Sequence, residues 1–115
     1  MKVGMLPMWD QWGERFAVTA LHLDRCYVTA VKNVEQHGYT SLQLSVGEMK
    51  PSRYKFNSKV VGQYTAANVA PGRKLMEFRV TPDCLLERGT QLRALHFVPG
   101  QVCVCIIYPY ICLSV

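Results

Sequence analysis

Between Lys50 and Lys74 the chain has no Asp or Glu, although six basic residues lie there (Lys50, Arg53, Lys55, Lys59, Arg73 and Lys74). A surface facing only water normally interleaves both signs, so an acid-free run of this length points to a polyanion partner. The bland alternative is a solvated basic face, the usual meaning of a charge run seen alone. A second absence lies at the other end. Residues 102–115 (Val-Cys-Val-Cys-Ile-Ile-Tyr-Pro-Tyr-Ile-Cys-Leu-Ser-Val) hold no charge at all. Fourteen residues broken by Pro109 are too few for a membrane-spanning helix, which needs about 20.

Other gaps remove whole classes of function. The three histidines (His22, His37, His96) are scattered, and none sits in a metal or nucleophile pattern. Glu14, Glu35, Glu48 and Glu77 stand isolated, so no carboxylate pair is available for acid–base work. No glycine-rich phosphate loop occurs, and Gly4, Gly13 and Gly38 read as turn or close-packing positions. The cysteines (26, 84, 103, 105, 112) are odd in number and fit no zinc or thioredoxin spacing, so free thiols in a reducing compartment are expected. Cys103 and Cys105 would share a strand face, but no further metal ligand is evident near them. The start, Met1-Lys2-Val3-Gly4-Met5-Leu6-Pro7, has neither the apolar core of a secretory signal nor an Arg- and Ser-rich transit helix. Met1 is open to being an internal start. No enzyme, cofactor, metal or small-molecule substrate is expected.

What is present is a folded, basic composition: 115 residues, half of them hydrophobic, with a net charge of +5. That is enough for one modest core. Period-two patterning dominates. Strands are expected at 2–9, at 15–23 after an Asp10–Gly13 turn, at 26–31 after a break at Asp24-Arg25, and at 41–46. The last is the cleanest alternation, with Leu42, Leu44 and Val46 facing inward. A basic loop from Gly47 to Phe56 holds Pro51.

The helix candidate is 57–68. Asn57 or Ser58 would cap it, Val60, Val61, Tyr64 and Ala67 fall at helical spacing, and Pro71-Gly72 would end it. Further strands are expected at 74–80 and 90–97, with turns at His37-Gly38 and Pro99-Gly100. The fold class is therefore mainly β, a small bent sheet or barrel of short antiparallel strands with one short helix.

The order of these elements and their turn residues carries a resemblance. The stretches are Lys2-Val3-Gly4-Met5 through Trp9, Gly13, Val18-Thr19, Cys26-Tyr27-Val28-Thr29, and Gly38-Tyr39 through Gln43-Leu44. Then come Gly62-Gln63-Tyr64, Glu77-Phe78-Arg79-Val80, Gly89, and finally His96-Phe97-Val98-Pro99-Gly100-Gln101. Collinear over residues 2–101, they resemble the N-terminal half of the universal large-subunit ribosomal protein L-three family, most closely its mitochondrial type.

The resemblance implies a partial translation-factor-like β-barrel over residues 1–101 and a structural, RNA-binding role in the large subunit of a mitochondrial ribosome. Neighbouring large-subunit proteins would be partners. It also implies a truncation. The family's long basic extension toward the peptidyl-transferase centre, expected after Gln101, is replaced by the apolar tail 102–115. Val-Cys-Val-Cys is what a repeated GT dinucleotide encodes, so read-through of an unspliced donor site is one expected origin of that tail.

The expected RNA-binding residues are Lys50, Arg53, Tyr54, Lys55, Lys59, Arg73, Lys74 and Arg79. The cations would hold phosphates, which position a protein without reading sequence. Tyr54 and Phe56 would stack on bases, with anchoring of the loop by Phe56 an equal alternative. Arg79, alternating with Phe78, would face RNA or solvent. The competing functions are a free-standing barrel that pairs with proteins through an exposed edge, a nonfunctional splice-variant fragment and, more distantly, a flavin-binding barrel.

Overall fold

The computed structural model describes residues 1–49, 58–104 and 113–114, the strand residues 104, 113 and 114 by backbone alone. These form two compact units, the described residues of Met1–Leu23 and Phe97–Val115 in one and Asp24–His96 in the other.

In the first unit, β1 (Lys2–Trp9) pairs antiparallel with β2 (Arg15–Leu21). The turn between them is built by one carboxylate. Asp10 Oδ1 accepts from the amides of Trp12 and Glu14, each at 2.9 Å, while Gly13 takes a φ of 80°. This is the Asp-plus-Gly chemistry that two strands need to reverse tightly. β2 stops two residues short of the expected Leu23, though the His22 amide still donates to Met1 O at 2.8 Å.

The second unit holds a four-stranded antiparallel sheet in the order β5-β4-β3-β6. Its strands are β3 (Cys26–Lys32), β4 (Ser41–Val46), β5 (Lys74–Arg79) and β6 (Gln91–Leu92). A helical turn, α1 (Val34–His37), links β3 to β4 and ends where expected, on left-handed Gly38, whose amide donates to Val34 O. Leu42, Leu44 and Val46 are buried as the alternation predicts. Antiparallel register places Val28 opposite Leu44, and Met76 and Phe78 opposite Leu44 and Leu42, so one sheet face is continuously apolar. Thr29 interrupts the β3–β4 register; its buried hydroxyl donates to Gln43 O and Oε1, both at 3.1 Å. Such a bulge bends its strand.

The helix α2 (Ser58–Ala66) packs against β3 through Tyr64, with Ala67 buried just beyond its end. The expected cap Asn57 lies outside the described residues, and Ser58 is already helical. Termination comes earlier than Pro71-Gly72. Asn68 adopts a left-handed φ of 54°, and Val69 N closes on Tyr64 O at 3.1 Å. Asn is one of the few side chains that tolerates this conformation at a helix end.

Gly72 has a different role. It is buried against the end of β4, where an added Cβ would strike Ser45 Oγ and lie 3.1 Å from the carbonyls of Val46 and Gly47. Gly72→Ala is expected to lower stability by about 1–3 kcal/mol through overpacking, read as a reduced urea midpoint. An unchanged midpoint would show that β4 can yield there.

The expected strand at 90–97 is corrected to the two residues of β6, followed by a 3₁₀ turn at Ala94–His96. The reason is register. Leu92 lies opposite Cys26, the first residue of β3, so from Arg93 onward no strand residue remains to pair with. His96 therefore sits in a turn, its amide donating to Arg93 O at 3.0 Å. Gly100 takes the left-handed conformation of the expected Pro99-Gly100 turn. In the tail, β7 (Cys103–Val104) pairs with β8 (Leu113–Ser114). The molecule is mainly β, as its periodicity implies, with one helix of useful length. Its antiparallel sheets close no barrel among the described residues.

Candidate nucleic-acid interface

Of the eight residues expected to meet RNA, Lys50, Arg53, Tyr54 and Lys55 lie outside the described residues, as does Phe56. Lys59 is exposed in the first turn of α2. Arg73 is exposed ahead of β5, its Nε donating to Glu48 O at 3.2 Å and its amide to Val46 O at 2.9 Å. Lys74 follows as the first residue of β5, half-buried opposite Val46. Arg73 and Lys74 thus stay together at one end of the sheet. Arg79 does not join them, because five residue steps along the strand separate it from Lys74 by about 17 Å.

Arg79 belongs instead to a polar cluster on the sheet face opposite the core. Register aligns Lys32, Ser41 and Arg79 across three strands. Lys32 Nζ donates to Glu77 Oε2 at 2.5 Å and to the Tyr39 hydroxyl at 3.0 Å, and Ser41 Oγ donates to Glu77 Oε1 at 2.8 Å. The Tyr39 ring lies under two cations, with Lys32 Nζ 5.5 Å and Arg79 Cζ 5.3 Å from its centroid. Ser41 is wholly buried beneath this cluster.

Hydrogen bonds from Lys32, and then from Tyr39 and Ser41, pull the Glu77 carboxyl down from 4.5 to about 2. The same bond to Glu77 raises the Lys32 ammonium above 10.5. A depressed carboxylate contributes stability above its unfolded pKa and loses it as pH falls through the folded value. The Glu77 contribution is therefore expected to be whole above pH 4.5 and to fade toward pH 2. Comparing Tm for the natural chain and Glu77→Gln between pH 6 and 2 checks this. The difference should shrink with acid, and parallel curves would remove Glu77 from the acid response.

The described thiols are all free (Cys26, Cys84, Cys103). Burial pushes Cys26 up to about 11, leaving it a small core hydrophobe rather than a nucleophile. Among the described residues no three of His, Cys, Asp and Glu gather closely enough to hold a metal ion. No helix among them is long and apolar enough to cross a membrane.

Arg25 was not visible as a site residue in the sequence. It forms an ion pair with Glu48, and both line a cavity beside Arg73. No local pattern announces this, since Arg25 and Glu48 meet only through strand pairing; the nearest signal is the Asp24-Arg25 break itself.

No protein-family model matches the chain. It is 45% identical over 101 residues to the large ribosomal subunit protein uL3m of Arabidopsis thaliana, a match taking in 88% of this chain. The same match covers 31% of that protein, so the chain spans about a third of its relative's length. At this identity, over most of its residues, the chain carries an uL3m-like segment of the ribosomal L-three family.

Proposed function

We propose that this chain is a structural, non-enzymatic constituent of the large subunit of the mitochondrial ribosome, where it binds ribosomal RNA. The observation that carries the reading is its 45% identity to uL3m, and the acid-free basic segment supplies the chemistry. Lys50, Arg53, Tyr54 and Lys55 would share the RNA contact with Lys59, Arg73 and Lys74. Arg79, bound up with Tyr39, is the weakest member of the set. The cations hold phosphates and so set the position of the protein without demanding a base sequence. Residues 102–115 bring phosphate no cation, so within these 115 residues the charge for an RNA contact lies in the earlier part of the chain.

Neighbouring ribosomal proteins are the second class of partner. Met5, Met8, Trp9 and Trp12 on the β1–β2 ribbon are well exposed, Trp12 at 82%. Aromatic and Met side chains shown this openly suit burial in an assembly. A module working only through such apolar contacts or free sheet edges is the competing reading, and salt separates the two. RNA held by phosphate contacts leaves as salt rises, whereas apolar and edge contacts respond little. The test is filter binding of a ribosomal RNA fragment to the 115-residue chain across a salt series. Steep loss of affinity supports the ribosomal RNA reading, while salt-insensitive or absent binding sinks it.

A further inference from the structure

The cavity within the Asp24–His96 unit measures about 210 Å³. That is below the roughly 300 Å³ at which pockets begin to hold larger organic ligands, but it has room for a single small ring system. Its lining includes Arg25, Tyr27, Gly47, Glu48, Asn68 and Gly89. Four of these six are left-handed, with φ of 42° at Arg25, 73° at Gly47, 54° at Asn68 and 88° at Gly89. They come from four separate loops, and for Arg25 the conformation is unfavourable. Gly47, Gly89 and Asn68 adopt this conformation at little cost, so the strain lies at Arg25 alone, and left-handed positions bring backbone close to whatever occupies the space between them.

The chemistry of the walls is specific. Tyr27 supplies an aromatic surface, and neither its hydroxyl nor the Asn68 amide has a hydrogen-bond partner among the described residues. An amide offers one donor group and one acceptor side by side, the complement of a base edge. The rim carries one neutral ion pair, Arg25 with Glu48, and one cation beside it, Arg73, whose side chain lies close to Gly47. Sequence brackets the same place. Glu48 stands two residues before the acid-free run begins, and Asn68 and Arg73 lie within it.

We propose that this cavity takes one unpaired nucleobase of the bound RNA, stacked on Tyr27 and held at its edge by Asn68. Arg73 then meets the adjoining phosphate. The inference rests on the RNA-binding reading and adds to it a base-dependent contact. RNA-binding proteins commonly lodge splayed-out bases on aromatic side chains in this way.

The test uses the full 115-residue chain with two RNA probes at 50 mM salt: a cytidine dodecamer, and an abasic dodecamer with the same phosphates. The natural chain should prefer the intact probe by about tenfold, a size set by one stacked base. Asn68→Gly keeps the left-handed backbone while removing the amide, and Tyr27→Leu keeps apolar bulk while removing the ring. Each should cut that preference to about twofold and leave abasic binding unchanged. Circular dichroism checks folding; should Tyr27→Leu fail to fold, Asn68→Gly alone decides. Equal binding of the two probes by the natural chain, or an unchanged preference in a folded variant, overturns the cavity assignment and leaves the phosphate contact standing. No binding of either probe overturns the RNA reading and the cavity assignment together.

Discussion

Replacing Lys50, Arg53, Lys55, Lys59, Arg73 and Lys74 together by Ala is expected to abolish RNA binding at ordinary salt and to flatten what remains of its salt dependence. The six substitutions take the net charge from +5 to −1. If each cation neutralises one phosphate of single-stranded RNA, the slope of log affinity against log salt is about −4. Raising salt from 50 to 200 mM would then cost the natural chain about 300-fold, and the variant almost nothing. Single substitutions should each lower the slope by about one unit or less. Lys59→Ala and Arg73→Ala are the most informative, because both residues are described and exposed. Retention of the full slope by the six-fold variant would transfer the contact to cations outside the acid-free segment, and the reading of that segment would be wrong.

Tyr64→Ala is expected to have the largest effect on stability. Tyr64 is 2% exposed and is the one buried residue within α2, while Val61 on the same helix is 39% exposed. A nine-residue helix is too short to persist in water without packing. Truncating a buried aromatic side chain to Ala typically removes about 3–5 kcal/mol. Domains of this size hold only about 5–15 kcal/mol in total, so the loss would leave the protein close to unfolding at room temperature. Urea unfolding followed by circular dichroism measures it. Helix signal should fall first or together with the sheet, and RNA affinity should fall as Lys59 loses its platform. A loss below about 1 kcal/mol would mean that α2 is held by something other than Tyr64.

Tyr64 and the residues around it were only partly legible in the sequence. Tyr64 was legible as a helix position because Val60, Val61, Tyr64 and Ala67 repeat at helical spacing. The pattern does not say which of them is the anchor. That choice follows from the docking of α2 on β3, which buries Tyr64 and leaves Val61 outside. Similarly, Leu42, Leu44 and Val46 announced an inward face by alternation alone. Ser41 and Ser45, on the opposite phase, read as solvent-facing yet are fully buried. Ser41 is covered by the Lys32–Glu77–Tyr39 cluster, and Ser45 lies against Gly72, contacts made by residues 27 or more positions away in the cases of Glu77 and Gly72.

By itself the sequence determined what depends on neighbours along the chain. This covers the Asp10–Gly13 reversal, the period-two strands, the helix near 57–68, the acid-free cationic run and the collinear L-three resemblance. Each is set by residues within a few positions of one another, or by their order. Tertiary structure alone decided how far strands could pair, which is why the expected strand at 90–97 stops where β3 begins. It also decided that Arg79 stacks on Tyr39 apart from Arg73 and Lys74. It brought left-handed residues 25, 47, 68 and 89 around one cavity as well. Those outcomes depend on register between distant segments, and register is fixed only when a whole face is buried at once.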